Sequence, residues 1–307
     1  MMQRIALLAA LAAVLLVGCQ PAPTAAPNPQ TAPPTEAPSL DIGSPEPTTG
    51  PAPTPAGSTV TDENTTLRVY YTVGSFTDAG GLVPVLREVP KTEAVGGAAV
   101  RALLQGPNEG ELRASPALFT SIPGSTQLLG LTIDAGVATV NLSKEFDTEH
   151  EAQSDRQRLA QVTFTLTQFA SVTGVRFEIE GAPVTTFGTE GLSLAQPVTR
   201  TSFPGQLPAI FVDRPAWGGV LGNPARLVGL ADVFEAQFHF RILDAAGHSI
   251  ADGSIKASCG TGCLGTFDAT IPYTVSAAAW GTLQMYELSA ANSSVVNLTE
   301  YPVWLGP

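Results

Sequence analysis

Leu129-Gly130-Leu131-Thr132-Ile133-Asp134-Ala135-Gly136-Val137-Ala138-Thr139-Val140-Asn141-Leu142 decides the fold of the first folded half. Leu129, Leu131 and Ile133, then Ala138, Val140 and Leu142, alternate with polar or small neighbours, the period of strands that bury one face. Asp134-Ala135-Gly136 between them supplies a glycine where a tight turn needs positive φ, so the stretch predicts a hairpin. Upstream, Leu67, Val69, Tyr71 and Val73 alternate as a half-buried strand. Thr92 to Gln105 reads as a helix with Val95, Ala99, Ala102 and Leu103 on one face and a stop at Gly106-Pro107. Downstream, a second helix is expected from Ser154, with Gln157 completing a capping box, through Leu159, Val162, Leu166 and Phe169 to Gly174. Val175, Phe177 and Ile179 form the last strand. The order is β-α-β-β-α-β, which predicts an α+β unit over 67–190 with one sheet and two helices on one face.

Past a polar linker at 191–207 the period stays at two. Phe234, Ala236, Phe238, Phe240 and Ile242 face one way, with Glu235, Gln237, His239 and Arg241 opposite. Further strands are expected at 209–212, 225–231, 249–256, 267–273, 281–288 and 295–301, separated by turn residues. Short strands at this density without a helical period predict an all-β sandwich over 208–307.

Three segments together resemble the GerMN domain of bacterial sporulation and spore germination proteins. They are Asn141-Leu142-Ser143-Lys144-Glu145-Phe146, the run Gln161 to Phe169, and Val175-Arg176-Phe177-Glu178-Ile179-Glu180-Gly181. Pro215-Ala216-Trp217-Gly218, Gly229 to Ala236 and Gly265-Thr266-Phe267 resemble the immunoglobulin-like domain of bacterial spore germination proteins. The first resemblance implies a non-catalytic envelope module, similar in shape to ring-building domains of secretion and sporulation machines. The second family often follows the first directly.

The N-terminus supplies an address. Residues 1–18 carry one cation, Arg4, an apolar run from Ile5 to Val17 too short to span a bilayer, and a small residue before Cys19, as in a secretory signal. Leu16-Val17-Gly18-Cys19 resembles the lipobox of bacterial lipoproteins, which implies cleavage before Cys19, transfer of a diacylglyceryl group to its thiol and acylation of the freed amine, two or three acyl chains in all, palmitate among them. Two or more chains hold a protein firmly where one binds reversibly. Residues 19–66, dominated by Pro, Thr, Ala, Gly and Ser without Lys or Arg, are expected to form a disordered tether. From Gln20 to Thr66 the tether reaches roughly 145 Å if fully polyproline-like at about 3.1 Å per residue, or spans about 40 Å as a random coil.

The formal charge is −12, and loss of Arg4 with the signal makes it one unit more negative. That balance excludes nucleic acid and anionic membrane as electrostatic partners, leaving lipid as the membrane link and envelope proteins or peptidoglycan as partners. Cys259-Gly260-Thr261-Gly262-Cys263 reads as a disulfide in an oxidising compartment, because metal ligation needs two more ligands and only His248 is near in sequence.

Catalytic patterns are thin, and no cofactor is expected. No nucleophile elbow, zinc helix or phosphate loop is present. Ser143, Asp147 and His150 lie in one connecting loop and can be written as a triad, or Ser143 closes a turn. Glu145, Asp147, Glu149, Glu151 and Asp155 are a candidate hard-cation cluster, or acids favoured by the positive end of the following helix. Trp217 with Asp213, in a Gly/Pro-rich loop, is a candidate partner-binding site, or the tryptophan packs over the end of the sandwich. The sequence therefore points to a lipid-anchored, extracytoplasmic binding or scaffold protein with no catalytic residues. The alternatives are a lipid-anchored solute-binding protein, which usually needs repeated βαβ lobes, and an envelope hydrolase. Cys19→Ser is expected to abolish incorporation of radiolabelled palmitate and to release the protein from the membrane fraction. Unchanged labelling and fractionation would remove the anchor from the account.

Overall fold

The computed structural model describes residues 64–74, 79–148 and 150–306, all within one compact unit of the chain. Cys19, the signal, the tether before Asn64 and Glu149 lie outside the described residues. The fold is α+β, with an all-β sandwich forming its second half.

In the first half, β1 (Asn64–Gly74) pairs antiparallel with β2 (Ala79–Pro90). Two helices follow, α1 (Val95–Leu104) and α2 (Glu109–Arg113), and then the short β3 (Leu118–Phe119), which closes on the other side of β1. The expected hairpin forms from β4 (Leu128–Asp134) and β5 (Val137–Leu142). Its two loop residues, Ala135 (φ 46°) and Gly136 (φ 83°), both have the positive φ that a twist-matched two-residue turn requires. Ala138, Val140 and Leu142 are fully buried, whereas Leu129 and Ile133 are exposed, so only the second arm carries core along its whole length.

The crossover helix α3 (Ala152–Leu166) returns the chain to β6 (Gly174–Ile179), parallel to β5. It begins two residues before Ser154, and the expected capping box does not form. Gln157 instead turns into the core, where its side-chain oxygen accepts from the Ser121 hydroxyl at 2.6 Å. Three short strands, β7 (Ala182–Pro183), β8 (Thr186–Phe187) and β9 (Leu192–Ser193), complete the half. The strands form separate sheets, ordered β2-β1-β3 and β4-β5-β6-β7 with a β8-β9 ribbon, where one sheet was expected. Strand β2 escapes the sequence pattern because Gly80, Gly81 and Pro84 interrupt it; Pro84 is tolerated on an edge, since it has no N–H to donate to a ladder.

The sandwich follows the sequence closely. One sheet is β10 (Ile210–Arg214), β12 (Ala225–Ala231) and β15 (Gly265–Ile271), ordered β10-β12-β15. The other contains β11 (Val220–Leu221), β13 (Gln237–Leu243), β14 (Ser249–Lys256), β16 (Ala279–Leu288) and β17 (Val295–Leu305), ordered β11-β17-β16-β13-β14. Phe238, Phe240 and Ile242 point inward as expected. Phe234 does not: it sits in a 3-10 turn ahead of β13 and is 59% exposed. The sheets meet through Phe238 and Phe267, whose ring centroids are 5.0 Å apart, and through the Tyr301 hydroxyl, which donates to the Val212 carbonyl at 3.0 Å. Cys259 and Cys263 are joined by a disulfide with Cα atoms 5.9 Å apart.

Residues 191–207, read as a linker, are built into the fold. Val198 exchanges backbone hydrogen bonds with Val175, and Phe203 is buried. Gly229 is the tightest point of the sandwich: a Cβ there would lie 2.0 Å from the Phe211 carbonyl oxygen and 2.6 Å from the Phe267 ring. Gly229→Ala is therefore expected to destabilise the protein by about 1–3 kcal/mol in urea titration. A midpoint unchanged from wild type would contradict this packing.

Candidate functional site at the junction of the two halves

Strand β1 has five consecutive buried residues, Val69 to Val73, where alternation predicted one buried face. The reason is that α3 and the sandwich strand β10 together cover the second face. On one side Tyr71 donates to the carbonyls of Ala102 and Leu103 in α1, at 3.3 and 3.2 Å. On the other, Tyr70 lies between Phe164 of α3 and Phe211 of β10, with ring centroids 5.6 and 6.4 Å away.

The Tyr70 hydroxyl is the polar centre of this junction. It donates to Asp213 at 3.2 Å and accepts from the Arg200 guanidinium at 3.2 Å. Arg200 also donates to the Thr167 hydroxyl and the Phe164 carbonyl, and its guanidinium carbon lies 4.7 Å from the Phe164 ring centroid. Both partners of Tyr70 thus come from outside the first half as read from sequence: Arg200 from the expected linker and Asp213 from the sandwich. Burial pushes the Tyr70 phenol up to about 12, against the opposing pull of Arg200. Tyr71 is likewise pushed up to about 12 by burial, with Arg87 opposing.

Trp217 is also part of the junction. It is only 7% exposed, and its backbone N–H donates to the Pro84 carbonyl at 2.9 Å, so the packed arrangement is the one found. Asp213 is half-buried and engaged with Tyr70. Beside Trp217 a groove of about 420 Å³ runs between the halves, walled by Val85, Trp217, Trp280 and Pro302, with Arg87 and Glu111 at one side. Arg87 and Glu111 form a bidentate pair at 2.7 and 2.6 Å, and Glu111 also closes the capping box of α2 with Asn108. Trp280 packs edge-on against its cross-strand partner Trp304, centroids 5.4 Å apart. Neither periodicity nor motif points to this groove, because its lining comes from five separate segments.

The triad candidates do not converge. Both ring nitrogens of His150 face carboxylates, Asp155 at 2.8 Å and Asp147 at 3.2 Å. The Ser143 hydroxyl instead accepts the Gln127 N–H at 2.9 Å, and a hydrogen bond from it holds the exposed Glu145 carboxyl below its usual range. Ser143 therefore closes a turn. The acids are similarly dispersed: buried Asp155 takes His150 and the Thr189 N–H, and among the described residues no group of three metal-type ligands gathers.

The α+β half joined to an immunoglobulin-like sandwich defines a two-domain class of protein. Residues 50–185 match the family Germane, described as sporulation and spore germination, and residues 209–294 match Gmad2, the immunoglobulin-like domain of bacterial spore germination. The chain thus carries a Germane domain followed by a Gmad2 domain. Among solved structures it is similar to the tandem GerMN domains of the sporulation protein GerM from Bacillus subtilis, at 22% identity and a TM-score of 0.40. That match covers 48% of this chain and 50% of that one, so the chain spans about half the length of that relative. The first GerMN domain of the same protein matches at 22% identity and a TM-score of 0.37, covering 45% of this chain and 98% of that one. No curated protein matches.

A raised phenol pKa has a definite sign. Folding holds Tyr70 and Tyr71 neutral, so their contribution is fully present below about pH 10, where the unfolded phenols begin to ionise, and is lost as pH rises toward 12. Stability in urea is expected to fall over that window. Tyr70→Phe is expected to cost about 1–2 kcal/mol at neutral pH, by stripping Arg200 and Asp213 of a partner, and to flatten the alkaline decline. An alkaline profile identical to wild type would show that Tyr70 does not couple the halves.

Proposed function

We propose that this protein is a lipid-anchored, extracytoplasmic, non-enzymatic binding or scaffold component of the bacterial envelope, associated with sporulation or germination. The observation that carries the reading is the pair of germination-type domains in tandem on one chain, sharing a single hydrophobic cluster. A scaffold must present its surfaces in a fixed relation, and burial of Tyr70, Phe211 and Trp217 across the junction supplies that constraint. The lipobox-like Leu16 to Cys19 supports placement outside the cytoplasm, and the Cys259–Cys263 disulfide fits an oxidising compartment. The catalytic alternative finds no support at Ser143, whose hydroxyl is committed to Gln127.

The test is photo-crosslinking in intact cells from probes placed on the exposed surface, at Phe234 and Leu298 among other positions. One discrete adduct with an identified envelope protein or with peptidoglycan is expected. Turnover of envelope polymers or esters by the purified protein, abolished by Ser143→Ala, would replace the scaffold reading with a hydrolase.

A further inference from the structure

One end of the sandwich carries a surface that none of the sites above uses. Three connections meet there: the turn between β12 and β13, the disulfide loop between β14 and β15, and the hairpin joining β16 to β17. Hydrogen bonds tie them in a row. The Thr261 N–H donates to the Val233 carbonyl at 2.9 Å and the Gly262 N–H to Asp232 at 2.7 Å, which fixes the disulfide loop to the turn. On the other side, buried Glu287 accepts the Phe234 N–H at 2.8 Å with one carboxylate oxygen and the Asn297 side-chain amide with the other, which fixes the turn to the hairpin.

Two features concentrate on these three segments. Six of the ten exposed large apolar side chains among the described residues are there: Phe234, Leu264, Leu288, Val295, Val296 and Leu298. Soluble surfaces rarely gather apolar side chains in this way unless something binds them. Five of the seven described non-glycine residues at positive φ are there as well, Glu235, Ala236, Thr261, Ser293 and Asn297. Such backbone is costly, persists only where the surrounding structure holds it, and clusters at sites of binding. The apolar tips are thus held in a fixed arrangement, which lowers the entropy lost when a partner docks.

Charge selects the partner. Segments 231–237, 257–267 and 287–298 contain Asp232, Glu235 and Glu287 and no Lys or Arg, and Lys256, just before the disulfide loop, is the nearest cation along the chain. Asp232 and Glu235 are exposed. A second copy would bring the same acids face to face, and an anionic bilayer would be repelled without the Lys and Arg that interfacial segments carry. We propose that this end of the sandwich docks a partner protein through a segment that interleaves apolar side chains with Lys or Arg. The apolar tips seat its apolar side chains, and Asp232 and Glu235 receive its cations. This docking gives the binding role proposed above a surface and a partner chemistry, and it rests on that reading.

The experiment uses the 15N-labelled full chain with a short synthetic peptide alternating Leu and Lys as probe, and peptides alternating Ser with Lys and Leu with Glu as controls. The Leu/Lys peptide is expected to move the amide signals of Phe234, Leu264 and Leu298 and to bind about tenfold more tightly than either control. Phe234→Ser with Leu298→Ser, both exposed side chains, is expected to weaken that binding about tenfold with the urea midpoint unchanged. Asp232→Asn with Glu235→Gln is expected to weaken it and to flatten its salt dependence. Equal binding of the Ser/Lys peptide, signals that move elsewhere in the chain, or variants that bind as wild type would overturn the proposal. So would Phe234 and Leu298 signals that shift on dilution of the chain alone, which assigns the surface to a second copy, or that shift with phosphatidylglycerol vesicles and not with the peptide, which assigns it to lipid. An in-cell adduct formed only from positions outside this end would keep the binding reading and overturn this surface.

Discussion

The structure depends on one buried phenol. Tyr70 is fully enclosed, and its hydroxyl is satisfied only because Arg200 and Asp213 reach it from segments 130 and 143 residues away. A phenol in an apolar core without partners would cost on the order of 1–3 kcal/mol, so the position tolerates tyrosine only in the assembled junction. Arg200 in turn is held by Phe164, Thr167 and the Tyr70 ring, which fixes the segment leading into the sandwich. Full burial of β1 and the docking of the second half therefore rest on the same contacts.

The junction also explains why the first half needs no continuous sheet. Its two principal sheets are bridged by α3, a helix with most of its residues buried although many are polar. Several polar groups of the helix and of the turn after it take tasks that a sheet neighbour would otherwise perform. Gln168 accepts from the Arg68 N–H and donates to its carbonyl, standing in for a strand partner, and the Thr165 hydroxyl takes the Tyr70 N–H. Arg158 donates to the carbonyls of Phe146 and Thr148, tying down the loop before the helix. Polar residues in a buried helix thus define which strands it can touch, a specificity that apolar contacts alone do not supply.

The same economy governs the residues that look like chemistry. Histidine, serine and aspartate gather in one loop, yet each is bound to a structural partner, with His150 held between Asp147 and Asp155. The concave feature that these commitments leave open is the tryptophan-lined groove where the halves meet. In a protein of this class a concave site is accordingly sought between domains, where such sites concentrate.

The amino-acid pattern by itself determined the locally encoded elements. The β4–β5 hairpin follows from alternation around a glycine turn, β12 and β14 were delimited to the residue, and the Cys259–Cys263 bridge follows from five residues of spacing. These features depend on neighbours within a few positions, where period and turn chemistry act directly. Tertiary structure alone decided the rest. Burial of both faces of β1, the edge strand β2 with its Pro84, the division into separate sheets, and the conversion of Trp217 and Asp213 from candidate exposed residues into junction residues all rest on contacts between distant segments. A sequence shows which face of a strand is apolar, but whether a polar or aromatic face is wet or covered depends on what docks there, and that is fixed only when the chain closes on itself.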